Sequence, residues 1–293
     1  MPLRSTWFVV LALAACVSSC TAAGPAARQP ARERYVLQRY VALGDSYTSG
    51  PLIPDQAVPG CLRSSHDYPA LVAAAIHPAS FTDVSCAGAT TASMTYPQTI
   101  LGHTVAPQFA ALTPDDTLVT VQLGGTDIGF AGVAGTCAIL SLTDPSGSPC
   151  AKHYTAGGTN RLARTTAQAA PKVAAVLQGV HRRAPHARVL LVGYPDILPA
   201  SGDGCWPQVP VARGDIAYLQ GVETALNGML AAQAARHQAT YVNTYADSTG
   251  HDACQAPGVK WIEGLIPTSV ALSFHPNEAG ERAMARQVLD ALR

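Results

Sequence analysis

Short apolar runs alternate along the chain with longer stretches whose apolar positions recur at helical spacing. The runs at 40–43, 81–85, 117–123, 188–194 and 240–245 are brief and bounded by Gly, Asp or Pro, which predicts buried strands. Stretches 68–76, 159–183, 212–237 and 277–292 read as helices, and Pro171 is a place where the second should kink. Alternation of this kind predicts a single α/β domain, a parallel sheet of about five strands with helices on both faces. No internal repeat or composition break divides it. Segments 132–158 and 246–273 fit no element and read as long irregular loops, where sites are commonly built.

The first residues follow a different rule. Arg4 precedes eleven uncharged apolar residues from Trp7 to Val17, too short a run to cross a bilayer as a helix, and no later stretch approaches the ~20 required. An export signal over residues 1–19 is the reading. Leu13-Ala14-Ala15-Cys16 and Val17-Ser18-Ser19-Cys20 both resemble the lipobox of bacterial lipoproteins, and Cys20 is the better lipid-attachment point. Cleavage there discards Cys16, puts the lipid on Cys20 and leaves six Cys, an even number that can pair fully in an oxidising compartment. An ordinary cleavage near Thr21-Ala22-Ala23 is the alternative, so the product is either a cell-envelope lipoprotein or a freely secreted protein. Residues 20–39, rich in Ala, Pro and Arg, read as a tether, and the domain then occupies 40–293.

Composition narrows the function classes. Only 13% of residues are charged and 48% are hydrophobic, which excludes disorder. A net charge of +0 offers no basic face for nucleic acid. Contact with a membrane is expected only through the N-terminal lipid, and a monomer is expected. The Cys lack C-x-x-C spacing and the His are dispersed, so no metal site is expected; neither G-x-G-x-x-G nor a Walker sequence follows the first strand, so no nucleotide cofactor is expected.

In an open α/β sheet, ligands bind beyond the carboxyl ends of the strands. Five places there and ahead of the last helix carry chemistry: Gly44-Asp45-Ser46-Tyr47, Cys86-Ala87-Gly88-Ala89, Gly124-Gly125-Thr126-Asp127, Tyr194-Pro195-Asp196 and Ser273-Phe274-His275-Pro276-Asn277. Gly-Asp-Ser alone is an ordinary turn. Placed between a strand and a helix, though, Ser46 exposes a hydroxyl where backbone N–H groups point at developing negative charge. It needs a base, and His275 differs from the other eight His in that Pro276 can open the final helix and fix the ring just outside it, where capping is its alternative role.

Together, Ser46 in Gly-Asp-Ser, Gly88, Gly124-Gly125-x-Asp127 and His275-Pro276 resemble, in order and at the strand ends, the blocks of SGNH (GDSL-type) hydrolases, a family of secreted esterases and lipases. The resemblance spans 40–292 and implies a three-layer αβα, flavodoxin-like fold acting on acyl ester or lipid substrates. It makes Ser46 the nucleophile and His275 the base, with Gly88 and Thr126 at the oxyanion hole. It also implies the three sequential disulfides of the actinobacterial secreted branch, Cys61–Cys86, Cys137–Cys150 and Cys205–Cys254. Two positions depart from the pattern. Thr126 stands where the family carries Asn, which should weaken the hole. Leu272 stands where an Asp often orients the imidazole, which implies a dyad whose His275 Nδ1–H is taken by the Leu272 carbonyl; Asp247 and Asp252 are alternatives. An acyltransferase using the same residues, or a lipid- or glycan-binding protein with weakened catalysis, are the other function classes.

Overall fold

A computed structural model describes residues 37–199, 202 and 204–293; the expected signal, Cys20 and the tether up to residue 36 lie outside the described residues. Five strands form the main sheet: β1 (Arg39–Gly44), β2 (Ser80–Asp83), β3 (Leu118–Gln122), β4 (Arg188–Val192) and β5 (Thr240–Val242). All pair in parallel in the order β2-β1-β3-β4-β5, the flavodoxin-like order. Each expected strand is present; β1 is one residue longer at each end, β2 starts one residue earlier, and β2 to β5 end one to three residues sooner than expected, where ladder pairing stops before the apolar run does.

Successive strand residues face opposite sides, and the two cores separate accordingly. Tyr40, Ala42, Leu118, Leu190 and Val192 pack under Tyr68 and Val72 of α2 (Tyr68–Ile76) and Met284 and Val288 of α8 (Glu278–Ala291). Val41, Leu43, Val119, Val121 and Leu191 pack under Val173, Val176, Leu177 and Val180 of α5 (Arg161–Arg183) and Leu226 and Leu230 of α6 (Ile216–Arg236). Burying each such side chain contributes about 1.5–3 kcal/mol, so a central strand apolar on both faces is held from two sides at once.

Helix starts follow side-chain capping. Asp67 accepts from Ala70 N–H, Asn160 from Ala163 N–H, and Asn277 from the N–H groups of Ala279 and Gly280. The last of these corrects an expectation: Asn277 caps the final helix, and Pro276 lies outside it. Helix α5 runs through Pro171 as one element.

The stretch 132–158, expected to be irregular, is mostly helical: α3 (Phe130–Ser141), α4 (Pro149–Thr155) and a short 3-10 turn. Its apolar residues show no helical stripe in the sequence because Gly132 and Gly135 interrupt a run with no charged position from Ile128 to Thr143. By contrast, 246–273 is irregular beyond α7 (Thr244–Ser248), as expected. Three disulfides join Cys61 to Cys86, Cys137 to Cys150 and Cys205 to Cys254, the pairing the family resemblance implies, with Cα–Cα separations of 4.5, 4.9 and 5.4 Å. They tie down the loop before Gly88, the end of α3, and the long segment after β5.

Candidate active site

Strand order decides where the site lies. Chains leaving β1 and β3 diverge to opposite sides of the sheet, and the crevice between their carboxyl ends is the switch point of this fold. Ser46 opens α1 (Ser46–Ser49) directly after β1, and the Gly124-Gly125 pair follows β3. Asp45 caps α1: its Oδ1 accepts from Tyr47 N–H at 3.0 Å, which turns the chain so that the Ser46 side chain stands free.

His275 arrives from the far end of the chain. Its Nε2 is 2.7 Å from Ser46 Oγ, and its Nδ1 is 2.9 Å from the Ser273 carbonyl oxygen. The expectation for Leu272 is therefore corrected by one residue. The Leu272 carbonyl accepts the backbone N–H of His275 at 3.1 Å, closing a turn, and Phe274 at φ 59° swings the Ser273 carbonyl under the ring. Neither proposed carboxylate substitutes: Asp247 is exposed on α7, and Asp252 accepts from Cys254 N–H and the Gln255 amide. The Tyr47 ring lies 4.8 Å from the imidazole and its hydroxyl donates to the Phe274 carbonyl at 2.6 Å, bracing ring and backbone together. Burial lowers the His275 pKa to about 4, so the imidazole is neutral and able to accept a proton at ordinary pH.

Gly88 and Thr126 share one cavity wall with Ser46 and His275. Gly88 has φ 74°, a backbone conformation that a residue with a side chain resists, and its N–H meets no acceptor among the described residues. The Thr126 hydroxyl likewise has no hydrogen-bond partner among the described residues, while Asp127 accepts from both the N–H and the hydroxyl of Thr91, at 2.9 and 2.6 Å. Asp127 thus fixes the loop after Gly88 against the loop after β3.

The supports of the site received no role in the sequence reading. Tyr194, at the end of β4, donates to Asp45 Oδ2 at 2.5 Å and accepts from Gly125 N–H at 2.8 Å, joining the residue before Ser46 to the residue before Thr126. A Cβ on Gly125 would sit 3.0 Å from the Tyr194 ring, so that bridge needs glycine. Burial raises the Asp45 carboxyl to about 7, with the Tyr194 and Tyr47 donors working against the rise. Two buried amides act as brackets: Gln108 bonds both the N–H and C=O of Gly44, and Asn227 bonds both those of Tyr194. Strand-end position flags Tyr194 in the sequence; nothing there flags Gln108 or Asn227.

The loop carrying His275 is held by a buried ion pair. Lys260 Nζ lies 2.7 Å from Glu263 Oε2, with both side chains nearly inaccessible. Burial pushes the Glu263 carboxyl up, but the Asn277 amide, Lys260 and Thr268 N–H outweigh it and hold the group below its ordinary value. Glu263 N–H donates to the His275 carbonyl at 3.0 Å, and Phe274 N–H to the Glu263 carbonyl at 3.1 Å.

A cavity of about 340 Å³ opens beside the Ser–His pair. Ile128, Phe130 and Val133 of the α3 segment, Ile197 and Leu198 after β4, and Leu219, Val222 and Leu226 of α6 make its walls largely apolar. Glu223 is the buried acid among them; its Oε1 accepts from Ile197 N–H at 2.9 Å, and burial and the nearby Asp196 raise its pKa well above normal.

A profile of the GDSL-like Lipase/Acylhydrolase family matches residues 42–283. The Lipase 2 of Streptomyces coelicolor is 42% identical over 263 residues, covering 86% of this chain and 85% of that one. Among solved structures, phospholipase A1 from Streptomyces albidoflavus superposes with a TM-score of 0.73 at 30% identity, covering 88% of this chain and all of that one. The extracellular lipase of Streptomyces rimosus gives 0.67 at 26% identity, over 87% of this chain and all of that one.

Proposed function

The chain belongs to the GDSL-like lipase/acylhydrolase family and is a carboxylic ester hydrolase, and we propose that it works outside the cell through Ser46 as nucleophile and His275 as base. The observation that carries this reading is the 2.7 Å contact between Ser46 Oγ and His275 Nε2 at the mouth of an apolar cavity.

The Ser273 carbonyl takes the Nδ1–H, which leaves the Nε2 lone pair facing the serine. As Ser46 Oγ attacks the ester carbonyl, its proton passes to Nε2, and the new negative charge is met by the N–H groups of Ser46 and Gly88 and by the Thr126 hydroxyl. His275 then returns the proton to the leaving alcohol. Water, deprotonated by the same imidazole, attacks the acyl-Ser46; as the intermediate collapses His275 returns that proton to the departing Ser46 Oγ, and the acid leaves. Among the described residues no carboxylate completes a triad; a fixed carbonyl orients the ring, and burial keeps it neutral. The acyl chain occupies the cavity beneath α3. Three disulfides, an N-terminal apolar signal and the extracellular lipase among the similar structures support export. Cys20 is the proposed lipid-attachment point of a monomeric protein, and mass spectrometry of the mature N-terminus tests it: an unmodified start at Ala22 or beyond means free secretion.

The decisive experiment is a panel of acyl esters of graded chain length turned over by the purified protein beside Ser46→Ala. Loss of hydrolysis with an unchanged unfolding temperature is the expected result. Wild-type turnover by Ser46→Ala overturns the reading.

A further inference from the structure

Helix α3 turns an apolar side to water. Its exposed positions are Ala131, Gly132, Gly135 and Ile139, and Leu142 at the helix end continues them. At about 100° per residue these five fall within a stripe roughly 100° wide. A helix on a globular surface ordinarily keeps that stripe polar. Here it holds no polar side chain, and Ile139 and Leu142 are each 68% exposed. The polar side chains of α3 lie outside the stripe: Thr136 is half-buried beside it, and Ser141 is buried, its hydroxyl donating to the Cys137 carbonyl and accepting from Ala212 N–H. The helix is also pinned at this end by Cys137–Cys150, so the stripe is fixed in place.

Two further observations say what the stripe meets. Ala131 and Gly132, its first members, line the cavity beside Ser46, so the exposed apolar surface runs without a polar break into the site. A second exposed segment reaches the cavity with polar residues interspersed: Leu265, Ile266 (81% exposed) and Val270, with exposed Thr268 and Ser269 among them, precede Leu272 and Phe274 of the cavity lining. No charged residue lies between Asp127 and Asp144 in the sequence and the chain has no net formal charge, so the stripe itself carries no group that attracts an anionic surface, although exposed Lys152 stands on the neighbouring α4.

We propose that the outer stripe of α3, from Ala131 to Leu142, is a docking surface for uncharged lipid assemblies, set so that a chain withdrawn from the lipid passes along the helix into the cavity. Ile139 and Leu142 enter the apolar layer. The Ala and Gly positions allow an acyl chain to lie against the backbone on its way to Ser46. The inference rests on the acyl-ester reading for what is delivered, but the docking itself is measured without it.

The test uses the full chain carrying Cys20→Ala, so that no N-terminal lipid contributes, and Ser46→Ala, so that vesicles are not consumed. Sedimentation with dioleoylphosphatidylcholine vesicles should show binding that changes little when dioleoylphosphatidylglycerol is added or when salt rises from about 0.05 to 0.5 M. Ile139→Gln with Leu142→Gln should lower the partition coefficient at least tenfold with the unfolding temperature unchanged, while Ile139→Val with Leu142→Met should preserve it. With Ser46 restored, the Gln pair should slow hydrolysis of vesicle lipid in parallel and leave a soluble short-chain ester untouched. Vesicle binding by the Gln pair equal to the parent overturns the proposal. So does binding that requires the anionic lipid and vanishes with salt, or a stripe buried in a dimer that the Gln pair dissociates. Absence of soluble-ester hydrolysis in every protein would instead sink the hydrolase reading, and the sedimentation result would stand apart from it.

Discussion

Ser46 and His275 stand 229 positions apart and reach one cavity by different physics. The serine side is a product of the sheet. Strand β1 is buried on both faces, its last residue Gly44 is bracketed by Gln108, and Asp45 turns the chain into α1. The histidine side has almost no regular structure: 249–277 is turns, joined by the single bridge between Ile262 and Pro276. In place of a hydrophobic layer it has the buried Lys260–Glu263 pair, with Asn277 and Thr268 closing the carboxylate's remaining sites. A side chain placed by a packed strand tolerates loss of its own atoms. One placed by a polar scaffold depends on every member, because a buried charge left alone costs more than the pair contributes.

The largest contrast comes from Ser46→Ala, which should cut kcat by on the order of 10⁴–10⁶ and leave the unfolding free energy within about 0.5 kcal/mol. Denaturant titration beside an ester assay measures both, and a loss of several kcal/mol would erase the distinction between the two sides.

Next, Glu263→Gln should destabilise by about 3–5 kcal/mol, since Lys260 would be left charged and buried. Replacing both, Lys260→Met with Glu263→Leu, should recover much of that loss in stability. Activity should not follow, because the Asn277 amide and Thr268 N–H lose their acceptor and the His275 loop with them.

On the serine side, Tyr194→Phe removes one donor from Asp45 and the acceptor for Gly125 N–H, a loss of about 1–3 kcal/mol for each group left unmet. Its pH dependence carries a sign. Burial raises the folded Asp45 pKa to about 7 against an unfolded value near 3.8, so its contribution is full below about 4 and fades as pH rises through 7. Without the phenol the carboxylate loses a donor, and the variant should be weakened more at pH 8 than at pH 5.

The smallest effect expected is on the pH profile. His275 runs the other way: its folded pKa is lowered to about 4 from an ordinary 6.5, so its contribution to stability is present above 6.5 and lost as pH falls through 4. The neutral base is retained over the same range. Consequently kcat/KM should be nearly flat from pH 8 to about 5 and fall only near 4. An acid limb at 6.5 would mean that the imidazole is solvated and the loop open.

Much of the fold was legible because burial on both faces leaves a mark that no other environment leaves: five short apolar runs punctuated by Gly, Asp and Pro, and amphipathic or capped helices between them. Helix α3 was not legible, since a helix turning Ala, Gly, Ile and Leu to solvent reverses the pattern by which helices are recognised. Ser46, His275, Gly88 and Thr126 could be named as candidates, and the fold gathers them around one cavity, because each sits in a short motif with a fixed place on the sheet. Their supports could not. Gln108 holds Gly44 across 64 positions, Tyr194 holds Asp45 across 149, and Glu263 holds a turn whose left-handed Phe274 decides that Ser273, not Leu272, faces the imidazole. Such pairings depend on which distant groups the packed sheet leaves without a partner, and a single carbonyl's direction depends on one dihedral angle. Local sequence encodes what each segment prefers to become; only the closed structure fixes which buried polar groups must satisfy one another.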